Sequence, residues 1–152
     1  MKRSEFEVCR ITDKQRWTQL LSKFTYPHPM QTWEWGEARA ELGSDVHRWC
    51  VSDQDEVVLM AQVFSRRWRG ITTRLAWVPR GPVFSEVDKV KSALEALSPS
   101  LKAQGHRVLI AQPYAPTQPS RLLPKVPFRN PEFTFVVDLQ RLSQKTERLL
   151  RN

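Results

Sequence analysis

Trp17, Leu20, Leu21 and Phe24 recur at i, i+3, i+4 and i+7, a spacing that gathers four apolar side chains on one face of a helix. Thr12 and Gln15 lie three apart just ahead of that run and read as a capping box, behind a weakly alternating strand over Phe6 to Ile11. Pro27 and Pro29 stop the helix, because proline lacks an amide donor and pushes the residue before it out of the helical region. A second helix is predicted from Gln31 to Leu42, ended by Gly43. His47 to Ser52 and Val57 to Phe64 flank the polar turn Asp53-Gln54-Asp55-Glu56, and Ile71 to Val78 follows, which together predict an antiparallel meander. Ser85 with Asp88 reads as a second capping box, and Val87, Val90, Leu94, Leu97 and Leu101 mark the inner face of a long helix that Gly105 terminates. Arg107 to Ala111 reads as a short buried strand and Gln112 to Pro131 as a proline-rich loop. Phe133 to Leu139 reads as another strand, and a last helix begins near Ser143 with no glycine or proline stop after Leu149 and Leu150.

This order is mixed α+β: an antiparallel meander feeds a crossover helix and a neighbouring parallel strand. It is similar to the order of GNAT-type (acyl-CoA N-acyltransferase-like) proteins, a mixed sheet flanked by helices. With 152 residues, 40% of them hydrophobic and six of them tryptophan, the chain suffices for one compact domain spanning residues 1–152. Met1 to Arg10 is charged and carries no secretory signal, and no apolar run is long enough to span a bilayer, so a cytoplasmic location is expected.

The formal net charge of +8 suits a polyanionic partner: RNA, a phosphorylated substrate or an anionic membrane surface. The excess is local, since Arg66, Arg67, Arg69, Arg74 and Arg80 fall in a stretch without an acidic side chain, although a solvated hairpin rim would look the same. Cys9 and Cys50 form no CxxC pair and read as buried thiols, and His28, His47 and His106 are isolated, so spacing assembles no metal site. No cofactor is expected either. Acyl-CoA users place a glycine-rich loop between the fourth strand and the third helix, where backbone amides cradle pyrophosphate. Here that place holds Pro79-Arg80-Gly81-Pro82, whose two prolines have no amide hydrogen to offer.

Three motifs narrow the reading: Gln31-Thr32-Trp33-Glu34-Trp35-Gly36-Glu37, then Trp77-Val78-Pro79-Arg80-Gly81-Pro82-Val83, then Thr134-Phe135-Val136-Val137-Asp138-Leu139 before a leucine-rich helix. In this order they resemble landmarks of the FemABX family, the Fem-type aminoacyltransferases of peptidoglycan interpeptide bridges. Members are similar to two fused GNAT-like subdomains, and the resemblance implies that this chain is the first, with the second absent. It also implies transfer of an amino acid from aminoacyl-tRNA to the stem peptide of a peptidoglycan precursor, in the cytoplasm and often at the inner face of the membrane. The implied partners are a UDP-linked or lipid-linked muropeptide, aminoacyl-tRNA, and a companion chain or second copy that supplies or replaces the missing subdomain.

The resemblance assigns phosphate contact to a cation four residues beyond Trp35, which is Arg39; a guanidinium there would grip phosphate as a fork where lysine offers a point charge. Trp33 and Trp35 point about 200° apart on a helix, so one packs inward and Trp35 is the candidate groove wall. Arg80 and the Gly81 amide stand at a strand-to-helix junction suited to an anion or a carbonyl, and Tyr114 can stack on or hydrogen-bond to a substrate. Members often carry an acid where Gln112 stands, so no proton acceptor is expected there, and no catalytic residue is assigned. The alternative is a noncatalytic basic RNA-binding module using Arg66, Arg67 and Arg69 around Trp68.

Overall fold

The computed structural model describes residues 6–25, 27–68, 71–72 and 74–114. Among them, one mixed sheet runs in the order β1 (Phe6–Arg10), β2 (Ser44–Asp53), β3 (Glu56–Trp68), β5 (Leu75–Val78), β7 (Val108–Ala111). Two short segments, β4 (Ile71–Thr72) and β6 (Val83–Phe84), pair with β3 off that path. The expected meander is present with longer strands. β2 and β3 pair from Asp53↔Glu56 to Ser44↔Arg66, with one bulge between Val51 and Ser52, so backbone pairing carries on through polar residues at which the apolar runs had ended. Their two-residue turn, Gln54 and Asp55, has φ of 50° and 68°, the left-handed geometry that matches strand twist in a tight hairpin.

Ile71 to Val78, expected as one strand, is two. β4 extends the β3 hairpin at Arg67↔Thr72, whereas β5 meets β3 at Phe64↔Trp77 and gives its other edge to β7. β5 and β7 are parallel from Leu75↔Val108 to Val78↔Ala111, as the crossover reading requires. β7 is less buried than expected: Val108 is 52% exposed, and among the described residues only β5 pairs with this strand.

Helix α1 (Lys14–Leu21) opens one residue later than the Thr12 reading, because the Asp13 carboxylate accepts the Arg16 amide at 2.7 Å. Helix α2 (Trp33–Glu41) follows a single 3-10 turn at Pro29–Gln31, and Thr32 is its cap, accepting from the Trp35 amide at 3.4 Å and donating to the Pro29 carbonyl at 2.7 Å. We expect Thr32→Ala to cost about 1 kcal/mol, read as a shift in the urea midpoint, since both hydroxyl bonds go together. Helix α3 (Val90–Ala103) starts after another 3-10 turn, and the Ser85–Asp88 box does not form. Lys89 instead bridges Glu86 at 2.8 Å and Asp53 at 3.2 Å, tying the start of α3 to the end of β2.

Helices cover both faces of the sheet. Successive strand residues point to opposite faces, so Val51, Leu59, Ala61 and Val63 pack with Val90, Ala93, Leu94, Leu97 and Leu101 of α3, while Cys50 and Met60 pack with Trp17, Leu21 and Phe24. No helix among the described residues is long and apolar enough to cross a membrane. Residues 115–152, which include the predicted Phe133 to Leu139 strand and the last helix, lie outside the described residues.

Candidate functional site

Gln62 interrupts the apolar run of β3 between Ala61 and Val63, and it is fully buried. A buried amide must find partners for all its polar atoms, and this one finds them in the segment leading into α2 and on β2. Its Nε2 donates to the Thr32 carbonyl at 2.9 Å and the Met30 carbonyl at 3.1 Å, and its Oε1 accepts from Arg48 Nε at 2.7 Å. Arg48, on β2, is itself buried. Its Nη2 donates to the Trp33 carbonyl at 3.1 Å and to Glu37 Oε1 at 2.9 Å, and its guanidinium lies 3.5 Å from the centre of the Trp33 ring. Burial pulls the Arg48 pKa down from its ordinary value, opposed by the hydrogen bond and the charge of Glu37. Gly36 sits directly over this pair, where any side chain would run into Arg48 Nη2 and Gln62 Oε1.

Gln31, also fully buried, carries the network across to the strand ends. Its Oε1 accepts the Gln62 amide at 2.8 Å, its Nε2 donates to the Pro79 carbonyl at 2.8 Å, and its own carbonyl accepts Trp17 Nε1 at 3.0 Å. Gly81 rests on the Gln31 side chain; a Cβ there would come within 2.6 Å of Cδ. From the other side, the Gln112 amide reaches the Gly81 carbonyl at 2.7 Å and the Val78 carbonyl at 3.2 Å, and Gln112 Oε1 accepts from Trp77 Nε1 at 3.2 Å. The Pro79–Gly81 turn is thus held from below and from the β7 side. Within it Arg80 takes φ of 50°, a left-handed conformation that a long side chain adopts only where its surroundings impose it.

The segments after β5 and β7 therefore meet at the carboxyl ends of two parallel strands, where α/β sheets characteristically bind ligands. Three side chains gather at this mouth. Tyr114 meets the His28 ring edge-on, with centroids 5.2 Å apart and planes at 70°, and Arg80 is close enough for its charge to act on His28. Burial, with the Arg80 charge second, pulls the His28 pKa below its ordinary value, so the ring is neutral at neutral pH. Its Nδ1 accepts the Met30 amide at 3.2 Å, which leaves the ring proton on Nε2 as a donor.

Of the residues singled out in the sequence, Arg80, Gly81 and Tyr114 come together here, with Gly81 buried as a packing contact. Trp35, 37% exposed, and the half-buried Arg39 stand one turn apart on α2. The arginine-rich stretch is divided. Arg66 is exposed and Arg67 pairs in register with Thr72 where β5 begins, whereas Arg80 follows the end of β5; Arg69 lies outside the described residues. The sequence reading assigns none of His28, Gln31, Arg48 and Gln62 to the site. The one clue was a glutamine and an arginine inside two otherwise apolar strand runs.

The mixed sheet, the crossover through α3 and the parallel β5–β7 pair define a GNAT-like fold. An aminoglycoside acetyltransferase from an uncultured soil metagenomic sample, solved with sisomicin, shares that fold with a TM-score of 0.50 at 10% identity, over 88% of this chain and 97% of that one. FemX matches with a TM-score of 0.51 at 26% identity, over 64% of this chain, and this likeness bears out the Fem-type resemblance read from the motifs. The match spans 24% of the FemX chain. No protein-family model matches the sequence, and no curated protein matches it. The turn that holds pyrophosphate in acyl-CoA users does not fit that group here: Pro79 and Pro82 have no amide hydrogen, and β6 and a 3-10 turn separate the loop from α3.

Proposed function

We propose that this domain binds the acceptor in an aminoacyltransferase reaction, the transfer of an amino acid from aminoacyl-tRNA to the amine of a peptidoglycan-precursor stem peptide. The gathering of His28, Arg80 and Tyr114 at the carboxyl ends of β5 and β7, on a fold like that of FemX, carries the reading. An aminoacyl ester is already energised, so the reaction asks for positioning, a path for the amine proton and stabilisation of a tetrahedral oxyanion. Arg80 would grip a phosphate or the carboxylate of the stem peptide as a fork, and Arg39 a second phosphate. A neutral His28 with its proton on Nε2 donates to an oxygen without adding a charge, and Tyr114 offers a stacking face.

In this reading the acceptor is a UDP-linked or lipid-linked muropeptide, the donor is aminoacyl-tRNA, and the domain works in the cytoplasm or at the inner face of the membrane. Calorimetric titration with a UDP-linked muropeptide tests the role of Arg39: Arg39→Ala is expected to weaken binding about tenfold, the value of one charge-assisted contact. Equal affinity would remove Arg39 from the site. The RNA-binding reading draws on Arg66, Arg67 and Arg69 around Trp68, of which Arg66 is exposed near the opposite end of β5. Salt-sensitive tRNA binding that is lost on changing Arg66, Arg67 and Arg69, with no muropeptide affinity, would favour it.

A further inference from the structure

Cys9 and Cys50, unrelated in sequence spacing, are directly opposed in the antiparallel β1–β2 ladder. Opposed residues in such a ladder have Cα atoms about 4.5–5.5 Å apart. That falls inside the range a disulfide spans. The two Sγ atoms already touch, at 2.9 Å. Cys50 is 2% exposed among Ile11, Trp17, Met60 and Val83, whereas Cys9 is half-buried and gives the pair its access to solvent. Arg16 of α1 lies close enough for its charge to act on Cys50.

We propose that Cys9 and Cys50 are a redox-modification site, a cross-strand dithiol that a disulfide oxidant closes into an intramolecular disulfide pinning β1 to β2. With glutathione disulfide, the Cys9 thiolate attacks one sulfur, forming a mixed disulfide and releasing one glutathione thiolate. Cys50 gives its proton to solvent and attacks the Cys9 sulfur, releasing the second glutathione. Two protein thiols thus lose two protons and two electrons, and the oxidant takes up both electrons as two glutathione thiols. Burial pushes the Cys50 thiol up to about 12, so the closing step is the slow one and quickens as pH rises. The consequence reaches the site. The strand ends at Arg10, the Ile11 amide bonds to the Arg48 carbonyl at 2.8 Å, and the chain enters α1, whose Trp17 holds the Gln31 carbonyl.

The test incubates the wild-type chain with glutathione disulfide, alkylates it with iodoacetamide and weighs it intact without reductant. A monomer lighter by two hydrogens, with neither cysteine alkylated, is expected. Its Tm should be higher by on the order of 10 °C, from closure of the long intervening loop, and dithiothreitol should reverse the change. Cys50→Ser should stop at the Cys9–glutathione adduct. A wild-type protein that keeps both cysteines alkylatable, accumulates the Cys9 adduct without closing, or forms only disulfide-linked dimers would overturn the proposal.

Discussion

Gln31→Ala is expected to cost about 4 kcal/mol of folding stability, a large share of the roughly 5–15 kcal/mol typical of a domain. Gln31 is fully buried and its amide satisfies two backbone groups that have no route to water: the Pro79 carbonyl and the Gln62 amide, each at 2.8 Å. Stranding each costs about 1–3 kcal/mol, and the vacated volume adds a cavity cost. Urea unfolding with an unchanged slope and a lowered midpoint would show it. A loss below about 1 kcal/mol would mean that the Pro79–Gly81 turn is held by other contacts. Because that turn presents Arg80, ligand affinity should fall with stability at this position and not at a core residue of equal cost on the buried face of α3, such as Leu97.

Gly36→Ala sets two effects of opposite sign against each other. Alanine in place of glycine in a helix gains about 1 kcal/mol of propensity. The new methyl, however, runs into Arg48 Nη2 and Gln62 Oε1, and neither side chain is free to move: Arg48 is bonded to Gln62, Trp33 and Glu37, and Gln62 to Met30 and Thr32. Displacing them breaks buried charge-assisted hydrogen bonds worth about 1.5–3 kcal/mol each and overpacks the site by a similar amount. The clash wins, and the expected net loss is about 2–3 kcal/mol in the same unfolding experiment. A stabilised Gly36→Ala protein would show that Arg48 leaves its seat at little cost.

What could be read in the sequence follows the reach of each signal. The Trp17–Leu20–Leu21–Phe24 and Val90–Leu94–Leu97–Leu101 stripes are local, and both helices formed, although α1 ends at Leu21 and Phe24 joins its apolar face from the turn that follows. The parallel β5–β7 pair followed from element order, because a strand, a crossover helix and a strand close in one hand. Gln31 was drawn into α2 by its neighbours' pattern. It leaves the helix because its side chain is committed to Gln62 and Pro79, partners that no local window contains. The split between β4 and β5 was hidden for a related reason: a continuous β-type run does not say which strand each half will meet. The same limit concealed His28, which looked isolated in a proline-rich turn while Arg80 and Tyr114 lay far along the chain. The first of the three family-like motifs has also changed meaning. Gln31, Thr32, Trp33 and Gly36 are spent on holding α2 against β2 and β3, which leaves Glu34, Trp35 and Glu37 of the motif with an exposed surface, and Arg39 one turn beyond Trp35. The third motif lies outside the described residues.

The reading of this domain as the acceptor-binding part of a Fem-type aminoacyltransferase meets its most direct test in titrating a UDP-linked muropeptide into the wild-type and Arg80→Ala proteins, with unfolding checked in parallel. Saturable binding to the wild type, weakened tenfold or more in Arg80→Ala at equal stability, is the predicted result. No saturable binding, or the same affinity in both proteins, would contradict it.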